Sequence, residues 1–170
     1  MILVMGSRGV GKSLFINTLV GGYVAQVGDG ITPCMYLIHD CTTTCLLVPT
    51  RISRSKVLLI DTPGCEDYNH PEKSVVCAQI CRTLAHQYQR GISLRGIIYL
   101  QRMPQAQEPE ITSPESLLTM FQDICGNSRA FFSNIILTTI GWQLPEFEES
   151  IAAVREGEIC KSWTQILTHG

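Results

Sequence analysis

The stretch that decides the fold runs from residue 2 to residue 20 and reads ILVMGSRGVGKSLFINTLV. Its apolar start, Ile2–Met5, predicts a buried strand, and apolar residues at i, i+4 spacing predict a helix over Lys12–Val20. The segment between them, Gly6–Ser13, matches the pattern G-x-x-x-x-G-K-[ST]. Because the match follows a strand and opens a helix, it predicts a phosphate-binding loop, with a plain glycine-rich turn as the alternative.

The residue types in this loop suit an anion. Gly9 and Gly11 let backbone amides turn inward, and the N-terminus of the following helix favours negative charge. Lys12 is predicted to bridge the β- and γ-phosphates and to act in catalysis, and the Ser13 hydroxyl is predicted to bind Mg²⁺. Arg8 either stabilises charge during phosphoryl transfer or is a solvated arginine. The predicted nucleotide contacts of this segment are Ser7, Arg8, Gly9, Val10, Gly11, Lys12, Ser13 and Leu14.

A second motif follows the apolar run Val57–Ile60 and reads D-T-P-G over Asp61–Gly64. Such a strand lies beside the phosphate loop in a parallel sheet, so the Asp61 carboxylate is predicted to face Mg²⁺. The Gly64 N–H is predicted to contact the γ-phosphate, in a loop that changes shape on hydrolysis. The D-x-x-G pattern has little value alone, but its pairing with a phosphate loop indicates a nucleotide-dependent switch.

The rest of the chain alternates between short apolar runs and segments of helical periodicity. Further strands are predicted at residues 96–100 and 134–139, and further helices at 72–90 and 113–126. Weaker patterns predict a strand over 36–48 and an acidic helix over 146–160. This alternation predicts a three-layer α/β fold with a mostly parallel sheet.

The two motifs resemble those of P-loop GTPases. The fuller match is to septin-like and immunity-associated (AIG-type) GTPases, with uncharacterised fungal G-domain proteins as the nearest look-alikes, and it extends through Val27–Gly30, Gly96–Leu100 and Leu137–Thr139. The resemblance implies a Ras-like G domain of the P-loop NTPase class that binds GTP or GDP with Mg²⁺. It also implies that Thr139 contributes to the base site, and that the domain assembles as a homodimer through the nucleotide face.

Two departures from the family pattern concern the metal and the base. Where the look-alikes have a threonine that closes on Mg²⁺ and the γ-phosphate, this chain has Met35. Thr32, three residues earlier, either takes that metal-binding and catalytic role or merely precedes a proline. No acid follows Thr139 until Glu146, so guanine selectivity rests on the resemblance. Trp142 either stacks on the base or is a partly buried loop tryptophan.

Two further departures concern catalysis and the end of the chain. Cys65 stands where Ras-like enzymes have a glutamine that orients water, so hydrolysis is expected to be slow. The family fold normally adds a sixth strand and a last helix, and Gly170 falls where that strand would begin. We therefore predict a single G domain over residues 1–170 that lacks these two elements, being either a degenerate gene product or a fragment.

Composition excludes several classes of function. Thirteen Lys and Arg against fifteen Asp and Glu give a net charge of −2, so we expect no nucleic-acid partner. No apolar stretch has the length of a membrane span or a signal peptide, and a cytoplasmic location is expected. The 8 cysteines are scattered, which indicates reduced thiols more than a disulfide framework or a zinc site.

The sequence thus favours a GTP-binding protein that uses Mg²⁺ and hydrolyses GTP slowly as a switch. One alternative is a catalytically degenerate G-domain scaffold, which Met35 and Cys65 favour. Another is an ATP-specific P-loop protein, since the motif Gly6–Ser13 is shared with kinases and ATPases. The D-T-P-G motif argues for the switch.

Overall fold

The computed structural model describes residues 1–25, 44–64, 72–103, 114–126, 129–142 and 149–169. The strands are β1 (Ile2–Gly6), β2 (Leu46–Ile52), β3 (Ser55–Asp61), β4 (Gly96–Arg102) and β5 (Ile135–Ile140). The helices are α1 (Lys12–Val20), α2 (Glu72–Gln89), α3 (Pro114–Cys125), α4 (Arg129–Phe132) and α5 (Glu149–His169). The strands β1, β3, β4 and β5 and the helices α1, α2 and α3 therefore lie where the sequence predicts them.

The five strands form one sheet in the order β2-β3-β1-β4-β5. β1 lies parallel to both β3 and β4, β4 lies parallel to β5, and β2 alone is antiparallel. The register pairs Val4 with Asp61, so the chain leaves β1 and β3 at the same edge of the sheet. The predicted α/β fold with a mostly parallel sheet is confirmed, and this topology brings the two motifs together.

Helices cover both faces of the sheet because the buried strand residues alternate in direction. Leu3, Met5 and Ile60 face a core shared with α2, α3 and α5. Val4 and Leu59 face the opposite core, which includes Ile16 of α1. Within the first core, Tyr99 of β4 meets Phe121 of α3 edge to face, with ring centroids 5.9 Å apart. The result is the predicted three-layer arrangement.

The strand predicted over residues 36–48 overlaps β2 at residues 46–48. β2 begins at Leu46 and continues to Ile52, while residues 26–43 lie outside the described part of the chain. The sequence pattern stops at Val48 because a proline follows, and proline removes a ladder donor from a central strand. Pro49 is accommodated here because β2 is an edge strand. β2 then turns through Ser53, which has a positive φ of 55°, into β3.

The C-terminal part also differs in detail from the sequence prediction. The acidic helix predicted over 146–160 is α5, which extends to His169, and the one-turn helix α4 was not predicted. Among the described residues no strand follows Ile140, and no helix there combines the length and apolar character that a bilayer span requires.

Candidate functional site

The loop between β1 and α1 has the backbone that the phosphate-loop pattern predicts. Gly9 and Gly11 have φ angles of 71° and 101°, a region that side chains disfavour. Gly11 is the N-cap of α1 and, being glycine, has no side chain that could form a capping hydrogen bond. Val10 is buried in the core beside α1 and so anchors the loop to the sheet. A glycine-rich turn that leads directly into a helix N-terminus is the backbone arrangement that an anion site requires.

Lys12 folds back over this loop. Its side chain is only 6% exposed, and its Nζ donates to the carbonyl oxygens of Gly6, at 3.2 Å, and Ser7, at 2.9 Å. An ammonium group is thus held directly above the loop in a buried setting. Leu14, the last predicted contact of the segment, lies on α1 with 56% of its surface exposed.

Ser13 and Asp61 join the two motifs. The Ser13 Oγ donates a hydrogen bond of 2.6 Å to the Asp61 Oδ2 across the boundary between α1 and β3. Asp61 is 1% exposed, and its second oxygen, Oδ1, is buried without a hydrogen-bond partner among the described residues. Burial raises the pKa of this carboxyl, while the hydrogen bond from Ser13 and the charge of Lys12 act in the opposite direction.

This pair of oxygens fits a divalent cation. A buried carboxylate oxygen with no partner is costly, and a cation nearby would remove that cost. Hydroxyl and carboxylate oxygens are the donors that Mg²⁺ prefers, and Mg²⁺ commonly keeps water molecules between itself and such a carboxylate. Ser13 and Asp61 are therefore the residues of this chain that fit a magnesium ion at the phosphate loop.

The D-T-P-G segment packs directly on the phosphate loop. The buried Thr62 donates its hydroxyl proton to the carbonyl oxygen of Val4, at 2.9 Å, which fixes the segment to β1. A Cβ on Gly64 would lie 2.6 Å from the Cα of Arg8 and 2.7 Å from its backbone nitrogen. Only glycine allows this approach, so the predicted γ-phosphate contact and the phosphate loop meet at one point.

The end of β5 approaches the same loop through Ile140. The Ile140 Cδ1 would lie 3.7 Å from a Cβ on Gly11. The hydroxyl of Thr139, the predicted base contact, instead donates to Glu156 Oε1 of α5 at 3.2 Å and accepts from Trp142 Nε1 at 3.1 Å. The side chain of Thr139 is thus engaged with α5, while Ile140 lies beside Gly11 of the phosphate loop.

A family model described as 50S ribosome-binding GTPase matches residues 1–124. The chain belongs to this GTPase family. The match covers both motifs whose geometry is given above, from β1 through α3. A comparison with curated protein sequences gave no match.

Solved structures of related GTPases share the fold. Toc33 from Arabidopsis thaliana in complex with GDP and Mg²⁺ is 17% identical, with a TM-score of 0.68, over 98% of this chain and 60% of that chain. The complex of Toc33 with Mg²⁺ and GMPPNP is 20% identical, with a TM-score of 0.63, over 98% and 62%. A structure of chloroplast translocon components, described as atToc33 and psToc159, is 18% identical, with a TM-score of 0.70, over 98% and 61%. This chain therefore spans about three fifths of the length of these GTPases, and the likeness shows the fold.

Asn17 is a site-supporting residue that sequence reasoning missed. It is buried in α1, where its Nδ2 donates to the carbonyl oxygen of Ala25 at 2.7 Å. Its Oδ1 accepts from the backbone nitrogens of Val24 and Ala25 at 2.9 and 2.8 Å. Asn17 thus holds the chain after α1 at the point where it leads towards Thr32. The sign of this role in the sequence is an asparagine among the apolar residues of α1, because a buried polar side chain is normally hydrogen-bonded.

Several predicted features fall outside the described residues. Thr32, Met35, Cys65 and Glu146 all belong to undescribed segments, so the predictions about them stay predictions. The five described cysteines are free thiols, and no cluster of metal-ligating side chains occurs in the described segments. Burial raises the pKa of Cys125 to about 12, in keeping with an inert thiol.

We predict that Gly64→Ala lowers the stability of the ligand-free protein by about 1–3 kcal/mol, because its methyl group must displace the backbone of Arg8. Gly22→Ala is the matched control, since a Cβ at Gly22 meets no atom within 4 Å. Urea unfolding of both variants measures the difference. Equal midpoints for the two variants would contradict the close packing of the D-T-P-G segment on the phosphate loop.

Proposed function

We propose that this domain binds GTP together with Mg²⁺ and acts as a molecular switch by hydrolysing the bound GTP to GDP and phosphate. The observation that carries the proposal is the 2.6 Å hydrogen bond between Ser13 Oγ and Asp61 Oδ2, next to a buried Oδ1 that lacks a partner among the described residues. A serine on the phosphate loop and an acid on the neighbouring strand are the two groups that GTPases use for Mg²⁺. Membership of a GTPase family supports this interpretation.

Each residue of the site has a chemical task in this proposal. Lys12 exchanges its carbonyl partners, Gly6 and Ser7, for phosphate oxygens, which accept from an ammonium more strongly. The amides at the N-terminus of α1 bind further phosphate oxygens, since Gly11 brings no side chain in their way. Bound Mg²⁺ would neutralise charge on the β- and γ-phosphates, and Ser13 and Asp61 would hold it there. The Gly64 N–H would report whether the γ-phosphate is present, because Gly64 already lies against Arg8.

We further propose that hydrolysis is slow. Cys65 occupies the place of the glutamine that orients water in Ras-like enzymes, and a thiol is a weak hydrogen-bonding substitute. Lys12 remains available to stabilise charge, and Thr32 is the candidate threonine for closing on Mg²⁺. The second candidate function is a scaffold that binds nucleotide without turnover, which Cys65 and Met35 favour.

We also propose that residues 1–170 form one G domain of the septin-like or AIG-type class, and that two copies pair through the nucleotide face. The similar Toc33 structures support pairing, because one of them is described as showing that dimerization matters for GTPase activity in that system. A cytosolic location is proposed as well, since all the described cysteines are free thiols, which is usual in a reducing compartment.

Lys12→Ala is predicted to abolish binding of GTP, because the buried ammonium is the main positive charge that the phosphates would meet. Titration with a fluorescent GTP analogue measures this loss, and competition by unlabelled GTP and ATP measures selectivity. Lys56→Ala is the control, since Lys56 is exposed on β3. If Lys12→Ala binds GTP as tightly as the parent protein does, the assignment of Gly6–Ser13 as a phosphate-binding loop is wrong.

Asp61→Ala is predicted to weaken the contribution of Mg²⁺ to nucleotide binding by roughly 10- to 100-fold, the usual effect of losing an outer carboxylate. The measurement compares the Kd for GTP with Mg²⁺ and with EDTA, in the parent and in the variant. The two values should differ in the parent and nearly coincide in Asp61→Ala. An unchanged dependence on Mg²⁺ in the variant would remove Asp61 from the metal site.

Single-turnover hydrolysis is predicted to be measurable but slow, and to accelerate with protein concentration over about a hundredfold range as the dimer forms by mass action. Phosphate release from excess protein over GTP, followed over hours with Mg²⁺ present, gives the rate constant. A rate independent of concentration would count against the dimer. If the protein binds GTP but releases no phosphate, the result supports the scaffold function and contradicts the proposed hydrolysis.

A further inference from the structure

Arg8 lies at the tip of the phosphate loop, and the proposed function leaves its side chain without a task. The backbone nitrogen of Val10 donates to the carbonyl oxygen of Ser7 at 3.3 Å, which closes a tight turn with Arg8 and Gly9 at its two central positions. Gly9 has a φ of 71°, a conformation that the third residue of such a turn often adopts. Arg8 is exposed, so a long cationic side chain starts at the solvent side of this turn.

The beginning of the Arg8 side chain lies against the D-T-P-G segment. A Cβ on Gly64 would lie 2.7 Å from the Cβ of Arg8 and 2.6 Å from its Cα. Gly64 carries the N–H that the proposed function assigns to the γ-phosphate. In that function the Arg8 side chain therefore begins beside the γ-phosphate, and its guanidinium, at the end of a flexible aliphatic stem, can reach the phosphoryl oxygens.

The two cations of the loop, Lys12 and Arg8, are placed differently. Lys12 is buried, and its Nζ is held by the carbonyl oxygens of Gly6 and Ser7, so its ammonium meets a phosphate from inside the loop. Arg8 is exposed on the outside of the same loop. The water that attacks GTP must come from solvent, so the charge that develops during hydrolysis appears on the side where Arg8 lies. Lys12 thus suits binding of the nucleotide, and Arg8 suits the reaction.

The chemistry of the guanidinium matches what this chain needs for hydrolysis. Cys65 stands where Ras-like enzymes have a glutamine, and a thiol orients water poorly. Phosphoryl transfer depends mainly on positioning and on neutralising the charge of the phosphoryl and leaving oxygens. A guanidinium offers parallel N–H donors to such oxygens and keeps its charge throughout the pH range of proteins. An arginine at position 8 therefore supplies stabilisation that does not depend on the residue at position 65.

We propose that Arg8 is a catalytic residue for GTP hydrolysis, and that its guanidinium stabilises the charge of the transferring γ-phosphoryl group from within the same chain. The inference rests on the proposed function, because it assumes GTP on the phosphate loop. In this step the oxygen of water bonds to the γ-phosphorus while the bond from that phosphorus to the β–γ bridging oxygen breaks, and GDP leaves with the electron pair. A proton of the water passes to a phosphate oxygen. Arg8 donates hydrogen bonds and transfers no proton.

The test measures the Kd for GTP and the single-turnover rate of phosphate release in the full chain and in Arg8→Ala, with Mg²⁺ and at one protein concentration. Arg8→Ala should lower the rate by about 100-fold and change the Kd by no more than about threefold, because the contact strengthens as charge develops. Arg54→Ala is the matched control. Arg54 is an exposed arginine in the turn between β2 and β3, at the opposite end of β3 from Asp61, and its loss should change neither quantity.

Two further measurements distinguish a catalytic arginine from one that only supports the loop. Arg8→Lys keeps the charge and loses the planar fork of donors, so its rate should fall about tenfold, between the parent and Arg8→Ala. GDP with Mg²⁺ and aluminium fluoride imitates the planar phosphoryl group of the transition state. The parent should bind aluminium fluoride in the presence of GDP, and Arg8→Ala should weaken that binding by about the factor by which it lowers the rate.

The outcomes separate this inference from the proposed function. If the parent does not bind GTP, the proposed function fails and the inference fails with it. If the parent hydrolyses GTP and Arg8→Ala does so at the same rate, Arg8 is a solvated arginine and only the inference is wrong. A rise in Kd as large as the fall in rate would make Arg8 a ground-state contact, which also overturns it. Faster hydrolysis by Arg8→Gly would show that the side chain obstructs the attacking water and contradict the catalytic role.

Discussion

The hydrogen bond from Ser13 to Asp61 is the interaction on which the rest of the site depends. It connects Ser13, the second residue of α1, to Asp61, the last residue of β3. The two side chains meet because β1 and β3 are parallel neighbours in the sheet. A buried carboxylate raises the free energy of the folded state unless its oxygens are satisfied. Here Ser13 satisfies one oxygen, and the other has no hydrogen-bond partner among the described residues, where the proposed Mg²⁺ would satisfy it. The unsatisfied oxygen of Asp61 thus costs the ligand-free fold some free energy, at the point where the proposed Mg²⁺ would bind.

The close contact between Gly64 and Arg8 gives this site a mechanical property. The backbone of one motif touches the backbone of the other, with no side chain between them to absorb a movement. Thr62, bonded to Val4, keeps the base of the D-T-P-G segment in place. In the proposed switch, a displacement of the phosphate loop at Arg8 would reach Gly64 directly, while Thr62 would keep the segment tied to the sheet. A switch segment of this kind needs one residue fixed to the sheet, here Thr62, and another that contacts the nucleotide loop, here Gly64.

Much of this architecture could be predicted from the sequence because its signals are local. The apolar runs before Gly6 and Asp61 and the periodicity of Lys12–Val20 each determine an element without reference to distant residues. The part of β2 beyond Val48 was missed because Pro49 is unfavourable in a strand unless that strand lies at a sheet edge, and which strand lies at an edge depends on the whole topology. The pairing of Thr139 with Glu156 joins residues 17 positions apart through tertiary packing, so no spacing rule could reveal it. Asn17 is similar, since its polar contacts depend on the path of the chain after α1.

Pro49 has a consequence for how the protein behaves at high concentration. β2 forms one border of the sheet, and an unpaired border is where foreign strands attach and aggregates begin to grow. A proline there offers no amide proton, so an incoming strand would find an interrupted row of bonding groups. Pro49, which follows the end of the predicted strand, therefore also makes this edge a poorer template for an added strand.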